Sequence, residues 1–342
     1  MKSAGPPRLI LTVCCLFACI LFAARPALAI EVGSLGSLSG SYRNLLFAGD
    51  NPAGHFVQTD VNRLRLEWNS PVLGNQSATS GRLNAHFAYD HEFTAGGLVS
   101  TPAFQAVSRI PEATWLDAEQ SVLRRGRMFW RHHLYRGWVN WEKDDVQIKL
   151  GRQRIAWGSG RMWNPTDRFN PVDPTALEGD QKIGVDSALG EWRYSSSGIM
   201  QAVAAPGSGA HAVSRKFALR VRDTFGEADV ALIGGRMGTE QVLGADIAAN
   251  LLEGGLHGEW LYARPAGSVS YHQLSAGYEY SLMNAALPEG LYLLGEYFYN
   301  GAAGRTLVGA TDRLNSTVRH LAGFSAGYDL TPLLRLDVTT IL

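Results

Sequence analysis

From residue 35 to the end of the chain, hydrophobic and polar side chains alternate with a period of two, the pattern of β-strands with two different faces. In "RLRLEW", residues 63–68, charged residues occupy every odd position and leucine or tryptophan every even one. The same alternation recurs in 145–151, 215–223 and 271–281. These segments run for about 9–12 residues, longer than the usual strand of a soluble domain and long enough for a tilted membrane-spanning strand.

Short turns and longer connections alternate between fifteen segments with strand character, the signature of an up-and-down transmembrane β-barrel. A soluble β-sandwich would also alternate in polarity, but it predicts shorter strands and no alternation of loop length. The predicted strands are about 35–47, 59–70, 81–93, 133–142, 145–157, 185–195, 198–205, 214–223, 227–236, 241–251, 255–264, 270–281, 289–299, 317–329 and 333–342. The longer connections, expected outside the cell, are 48–58, 94–132, 158–184, 206–213 and 300–316. We therefore predict an all-β fold, an antiparallel up-and-down transmembrane β-barrel.

The predicted strand number is odd, whereas single-chain outer-membrane barrels have even counts. The last segment runs to Leu342 and does not end on an aromatic residue. We expect a barrel of about 16 strands whose last strand or strands are missing from this sequence. In the longest connection, residues 111–125 predict a short helix over the barrel mouth.

Residues 1–29 have the pattern of a cleaved export signal. A basic start is followed by an apolar run from Leu9 to Ala23 and a small-x-small site that ends at Ala29. All three cysteines lie in this segment, so residues 30–342, the predicted barrel, contain no thiol. Removal of its three basic residues leaves 28 basic against 31 acidic residues. This near-neutral balance gives no reason to expect a nucleic-acid partner.

The stretch "LGRQRIAWGSGRMWNPTDRFNPVDP", residues 150–174, differs from the rest of the chain. The alternation of outward and inward residues changes phase at Gly151. If it continued unchanged, Arg152 and Arg154 would lie in lipid, where a charge costs about 2–4 kcal/mol. A bulge or twist at Gly151 would return both to the interior. Prolines then stiffen the connection, and we predict that the loop 158–184 folds inward and narrows the pore. Its expected apolar anchors are Trp157, Trp163 and Phe169.

Residues 134–178, "LYRGWVNWEKDDVQIKLGRQRIAWGSGRMWNPTDRFNPVDPTALE", resemble the loop-bearing hairpin of porin-like outer-membrane barrels of Gram-negative bacteria. The "LGRQ" strand followed by a glycine loop is similar to the alginate-export type, and "WG…NPVD" is similar to an uncharacterised porin-like group. The resemblance implies a channel in the cell outer membrane, which the chain would reach through the periplasm. It does not imply a particular solute.

Charged side chains that face the interior are the candidates for solute selection, because arginines opposite carboxylates create a transverse field across a constriction. Ordinary solvated interior charges are the alternative interpretation. The expected constriction residues are Arg152, Arg154, Arg161, Asp167, Arg168 and Asp173. The other expected interior charges are Arg63, Arg65, Glu67, Arg136, Lys149, Arg220 and Arg222. The excess of arginine predicts a weak preference for anions.

No cofactor, metal site or enzymatic activity is expected. His132 and His133 are adjacent on a predicted strand, so their side chains point to opposite faces and cannot readily share one ion. His86 and Asp90 share a face but lie about 13 Å apart along the strand, beyond hydrogen-bond reach. The expected partners are small hydrophilic solutes, including anions, with outer-membrane lipid, lipopolysaccharide and the barrel-assembly machinery. The alternative function is a non-conducting barrel that acts as a scaffold, an adhesin or part of an export complex.

Overall fold

The structure is a computed structural model that describes residues 30–50, 56–74, 80–108, 114–170, 184–207, 215–285, 287–304, 318–331 and 334–342. The expected export signal and Asp173 lie outside these residues. No helix among the described residues is long and apolar enough to cross a membrane.

The described residues form seventeen β-strands, one α-helix and two short 3-10 helices. The strands are β1 (Ile30–Glu31), β2 (Ser37–Asp50), β3 (Phe56–Asn69), β4 (Arg82–Gly96), β5 (Glu119–Arg125), β6 (Met128–Lys143), β7 (Val146–Gln153), β8 (Val185–Arg193), β9 (Ile199–Ala205), β10 (Lys216–Phe225), β11 (Ala228–Met237), β12 (Glu240–Leu251), β13 (Gly254–Pro265), β14 (Tyr271–Asn284), β15 (Leu287–Asn300), β16 (His320–Thr331) and β17 (Leu334–Ile341). Helix α1 is Pro102–Val107, and the 3-10 helices are Gly33–Leu35 and Leu98–Ser100.

The strands form an antiparallel meander. From β6 to β17 each strand pairs with the next strand along the chain, and β2, β3, β4 and β6 continue the same ladder in the other direction. The two additions are β1, which pairs with β2, and β5, which forms a hairpin with the start of β6. The other fifteen strands correspond to the fifteen predicted segments, although β7 ends at Gln153 and not at residue 157.

Most of the longer connections leave the same end of the sheet, which we call the loop end; the opposite end is the turn end. Connections 97–118 and 154–184 leave the loop end, whereas the turn end has tight connections such as 144–145 and 252–253. The predicted alternation of short and long connections is therefore present, with one exception: the longer connection 70–81 lies at the turn end. The helix predicted at 111–125 is wrong, because β5 occupies the end of this range.

The two faces of the wall differ as the alternation predicted. On β10, Leu219 is 44% exposed while its neighbour Ala218 is fully buried. Exposed outer positions on other strands include Leu150, Leu232 and Phe324. A wall with an apolar outer face and a buried inner face is the arrangement that a bilayer requires of a membrane-spanning sheet.

The inner face of the wall is not uniform. Strands β8 to β14 contribute apolar side chains such as Val203, Ile233 and Leu261 to one buried cluster, which also contains Trp157 and Phe169. Strands β3 to β7 instead present charged and amide side chains inward. The inner face is therefore apolar over half of the wall, where the chain after β7 packs.

Candidate pore constriction

The chain leaves the wall through a kink at Gly151, which has a φ of +121°. A Cβ atom at this position would lie 2.2 Å from the carbonyl oxygen of Gly137 on β6. The ladders on both sides of β7 show no register shift. The strand is therefore kinked at Gly151 without the inserted residue of a bulge.

Residues 154–170, which we call the inward segment, cross the interior and bind the opposite wall. Glu259 on β13, which is 2% exposed, accepts hydrogen bonds from four groups of this segment. Its Oε1 atom accepts from the backbone N–H groups of Ser159 at 2.8 Å and Gly160 at 2.6 Å. Its Oε2 atom accepts from the Thr166 backbone at 2.9 Å and the Thr166 hydroxyl at 2.7 Å. One buried carboxylate therefore fixes both arms of the segment.

A second buried carboxylate holds the tip of the segment. Glu296 on β15 accepts hydrogen bonds from three consecutive backbone N–H groups, those of Arg161 at 3.0 Å, Met162 at 3.1 Å and Trp163 at 2.7 Å. The Nε2 atom of His257 lies 3.0 Å from the same carboxylate. Hydrogen bonds from backbone N–H groups to a carboxylate are stronger than those between neutral partners. These bonds fix the path of the segment through its backbone, so they do not depend on the side chains of Arg161, Met162 and Trp163.

Two glycines let the inward segment approach Glu259 so closely. Gly158 has a φ of +86°, and a Cβ there would lie 2.0 Å from Asn164 Oδ1. A Cβ on Gly160 would lie 2.1 Å from the Trp163 carbonyl oxygen. The sequence "GSG" is therefore a fold requirement of the segment, because any larger side chain at either position collides with the segment itself or with Glu259.

The three expected anchors are all buried, and each contacts an aromatic ring or a polar partner. The rings of Trp157 and Phe169 meet edge to face with their centroids 5.0 Å apart. Trp157 also donates from Nε1 to Gln201 Oε1 at 2.8 Å. The ring of Trp163 stacks on Phe298 of β15 at 5.9 Å. These rings fill the space between the segment and the wall.

The two ends of the inward segment are joined by Asn170. Its Nδ2 atom donates to the Ile155 carbonyl oxygen at 2.6 Å, and its Oδ1 atom accepts from the Ile155 N–H at 3.0 Å. Asn170 Nδ2 also donates to Asp167 Oδ1 at 2.8 Å. Asp167, an expected constriction charge, is therefore bonded within the segment. Lys216 on β10 donates to the carbonyl oxygens of Arg168 and Phe169 at 2.7 and 3.1 Å.

The arginines of the inward segment differ in exposure. Arg161 has a side chain that is 56% exposed and forms an ion pair with Glu279 of β14, with Nη2 at 2.6 Å from Oε1. The hydrogen bonds with Glu279 raise the pKa of Arg161 above its usual value. Arg168 is only 7% exposed and pairs with Glu240 of β12, which also accepts from the Tyr271 hydroxyl. Arg161 therefore faces open space, whereas Arg168 is buried and attaches the segment to Glu240 on the wall.

Arg152 and Arg154, which the sequence grouped together, have different environments. Arg152 is 1% exposed; its guanidinium donates to both oxygens of Asp186, to the Leu134 carbonyl at 2.9 Å and to the Leu116 carbonyl. Asp186 in turn accepts from the Leu116 N–H at 2.8 Å. Arg152 thus joins β7, β8 and the connection before β5. Arg154 is exposed and makes no hydrogen bond or ion pair with the described residues.

The wall formed by β3, β4 and β6 presents a charged cluster. Arg65 donates to both oxygens of Asp90 at 2.6 Å, and Arg63 lies 4.0 Å from the same carboxylate. The guanidinium groups of Arg65 and Arg136 both lie over the ring of Tyr135, 3.5 and 4.0 Å from its centre. Arg154 lies within electrostatic range of Arg136. The inward arginines of this wall are therefore organised around one acid and one aromatic ring.

The remaining expected interior charges also lie on inward-facing positions. Arg220 pairs with Asp246 at 3.3 Å, and Arg222 lies 4.0 Å from Asp229. The Nζ atom of Lys149 is 4.6 Å from the centre of the Trp138 ring. Glu67 shares the inward parity of Arg63 and Arg65 on β3.

Three carboxylates that hold the inward segment, Glu240, Glu259 and Glu296, were not singled out from the sequence. Each lies on the inward parity of its strand next to apolar positions, as in Glu296 between Leu294 and Phe298. The sequence feature that could have identified them is an acidic residue at an inward-facing position of a strand, because a buried charge needs a partner.

Asp90, Glu92 and His133 place ligand atoms within 4.8 Å of one another. Arg65 already binds Asp90, and Arg131 lies 2.6 Å from Glu92. The arginines neutralise these carboxylates, so this group has the chemistry of an ion-pair network and not of a metal site.

No protein-family model and no curated protein matches this sequence. The fold is similar to solved outer-membrane porins. Acinetobacter baumannii OccAB4 aligns with a TM-score of 0.52 at 8% identity, over 89% of this chain and 81% of that one. Pseudomonas aeruginosa OpdK, solved with vanillate, aligns with a TM-score of 0.51 at 10% identity, over 87% and 79% of the two chains. Two mutants of the Rhodopseudomonas blastica porin give TM-scores of 0.48 and 0.49 at 10% identity, over 89% and 93% of the two chains.

The chain therefore has the porin-like fold of outer-membrane β-barrels, as the resemblance of residues 134–178 implied. At these identities the likeness concerns the fold. The finer resemblance to the alginate-export type stays a prediction.

Proposed function

We propose that this protein is a porin-like channel of the cell outer membrane, through which small hydrophilic solutes pass passively. The observation that carries the proposal is the binding of the inward segment across the interior by Glu259 and Glu296. A segment fixed at both arms and at its tip occupies part of the barrel cross-section permanently. Solutes would pass between this segment and the charged wall of β3, β4 and β6.

The charges on the two sides of this passage support a selective constriction. Arg161 and Glu279 lie at the inward segment, whereas Arg154 lies near Arg136 and the cluster around Asp90. Opposed charges across a narrow passage orient water and polar solutes and set ion preference. Arg152 and Arg168 are buried in ion pairs, so we leave them out of the proposed constriction.

The arginines also support a weak preference for anions. Arg63, Arg65 and Arg136 lie around Asp90, next to the Arg131–Glu92 ion pair, and Arg154 adds a further exposed positive charge. The solved OpdK structure contains vanillate, and a small carboxylate is the kind of solute that this arrangement would accept. Export through the periplasm, insertion by the barrel-assembly machinery and contact with lipopolysaccharide at the loop end belong to the same proposal.

A planar-bilayer recording of the purified, refolded protein under a salt gradient tests the proposal. We expect discrete conductance steps and a reversal potential displaced toward the anion value. A protein that inserts, migrates as a folded barrel in detergent and never conducts would overturn the channel.

One observation favours a second candidate, a non-conducting barrel that acts as a scaffold, adhesin or export partner. The apolar cluster shared by the inward segment and strands β8 to β14 closes half of the interior. If the inward segment also closes the other half, removal of its docking carboxylates opens a conductance that the wild-type protein lacks. A non-conducting wild type and a conducting Glu259→Gln variant would therefore support this second candidate.

A further inference from the structure

Strands β4 and β6 bring two histidines side by side. His91 and His132 are direct partners in the antiparallel ladder. Their ring centroids are 5.6 Å apart, and the ring planes differ by 18°. Directly opposed residues in such a ladder have Cβ atoms about 4.5–5.5 Å apart, so rotation of the two rings can direct one nitrogen of each toward a single ion.

The pair lies on the outer face of the wall. Asp90 and His133, its neighbours along the two strands, are buried at 1% and 4% exposure, whereas Trp130, which has the parity of His132, is 39% exposed. Adjacent histidines on β6 therefore do point to opposite faces. The neighbour that His132 meets is on β4 and 41 residues earlier in the chain.

The position of the pair leaves it within reach of water. Strand β7 pairs with β6 only from Gly137 onward. At His132 the neighbouring strand is β5, where Gln120 is its ladder partner and is exposed. The pair thus lies at the loop end of the wall, beside the β5–β6 hairpin.

Imidazole nitrogens remain available for a ligand. The hydroxyl of Tyr89 is hydrogen-bonded to Nδ1 of His132. Because a hydroxyl can donate or accept, this contact is compatible with the tautomer in which Nε2 of His132 carries the lone pair. Such a contact to the second ring nitrogen is how metal-binding histidines are commonly oriented. Within the described residues, no hydrogen bond or ion pair involves the ring nitrogens of His91 or Nε2 of His132.

We propose that His91 and His132 form a binding site for one divalent transition-metal cation, such as Zn²⁺ or Cu²⁺, on the outer face at the loop end. Imidazole suits these ions, whereas Mg²⁺ and Ca²⁺ prefer oxygen ligands. Water completes the coordination. A bound ion joins β4 to β6 through side chains, next to the backbone ladder that already connects them.

The chain contains matched control residues. His272 stacks on Trp260 at 5.8 Å, and His320 lies 5.4 Å from the ring of Tyr299. Both have aromatic neighbours, as the pair does, and both are more exposed than His91 and His132, but no described histidine contacts either of them. Nonspecific binding by a single exposed imidazole would therefore depend equally on His272 and His320.

Titration calorimetry of the refolded protein with ZnCl₂, and electron paramagnetic resonance with one equivalent of Cu²⁺, test the site. We expect one ion per chain, two coordinated nitrogens, and at least tenfold weaker binding in His91→Ala and in His132→Ala. His272→Ala and His320→Ala should bind as the wild type does, and MgCl₂ should give no heat of binding. Heat-dependent migration in detergent checks that each variant is folded; where an alanine variant is not, His91→Gln or His132→Gln replaces it.

Wild-type binding that survives in the His91 and His132 variants would overturn the site. So would a wild-type protein that binds Zn²⁺ no better than the His91→Ala/His132→Ala double variant. A Cu²⁺ spectrum with a single nitrogen would exclude the two-imidazole geometry. None of these results depends on whether the barrel conducts.

Discussion

The carboxylate of Glu296 accepts a hydrogen bond of 2.7 Å from the backbone N–H of Trp163, although the two residues are 133 positions apart in the chain. With the N–H groups of Arg161 and Met162, this contact makes a buried acid on the far wall the attachment point of the inward segment. A charge buried at 3% exposure is costly unless it is satisfied. Here the N–H groups of an irregular segment and the buried acid of a strand satisfy each other, with His257 as a further partner of the acid.

The first prediction concerns this attachment. Glu296→Gln removes the charge and turns one acceptor into a donor that faces backbone N–H groups, and each charge-assisted hydrogen bond contributes about 1.5–3 kcal/mol. We expect larger and noisier single-channel conductance than in the wild type. Glu142→Gln is the control, because this carboxylate pairs with Arg82 at the turn end. Equal conductance in both variants would mean that the segment does not limit the pore or does not need Glu296.

The second prediction concerns the fit of the glycines. Gly160→Ala places a Cβ 2.1 Å from the Trp163 carbonyl oxygen, so the segment must shift away from Glu259. We expect altered conductance in a barrel that still migrates as folded. A Cβ on Gly190 of β8 meets nothing within 4 Å, so Gly190→Ala should conduct as the wild type does. Identical conductance of Gly160→Ala and wild type would contradict the observed path of the segment.

The third prediction separates two arginines that are neighbours in sequence. Removal of one partner of a buried ion pair costs about 3–5 kcal/mol, so Arg152→Ala should lower the unfolding temperature or urea midpoint and leave the reversal potential unchanged. Arg154→Ala should leave the unfolding midpoint unchanged and move the reversal potential toward the cation value. The measurements are urea unfolding followed by gel migration and bilayer recording under a salt gradient. If Arg152→Ala alone changed ion preference, our removal of Arg152 from the constriction would be wrong.

The fourth prediction concerns the ion pair at the tip. Arg161→Gln leaves the Glu279 carboxylate without its main cationic partner, so the passage becomes more negative and the reversal potential should move toward the cation value. Stability should change by less than about 1 kcal/mol, because a pair this exposed is screened by solvent. The double variant Arg161→Gln/Glu279→Gln should restore the wild-type reversal potential. A double variant that behaves as Arg161→Gln alone does would place Glu279 outside the field of the pore.

Much of the wall could be predicted from the sequence, because the alternation within each strand shows which residues face outward and which face the interior. Leu64 and Arg63, or Leu219 and Arg220, differ in solubility, and a lipid-facing position next to an interior position requires that difference. The irregularity at Gly151 was visible for the same reason. The apolar character of half of the inner face could not be predicted. Val203 and Leu261 on this face pack against the inward segment, which comes from a distant part of the chain.

The sequence by itself determined an antiparallel meander of fifteen long strands, a stiff connection after β7 and the residues able to anchor it. These properties are local, because alternation, glycine and proline act through neighbouring residues. Only the tertiary structure decided which charges face open space: Arg152 meets Asp186 at a separation of 34 residues and is buried, while Arg161 meets Glu279 at a separation of 118 and stays exposed. It also brought Glu259 and Glu296 to the inward segment and His132 to His91. The curvature of the whole sheet decides such contacts, and no single strand carries that information.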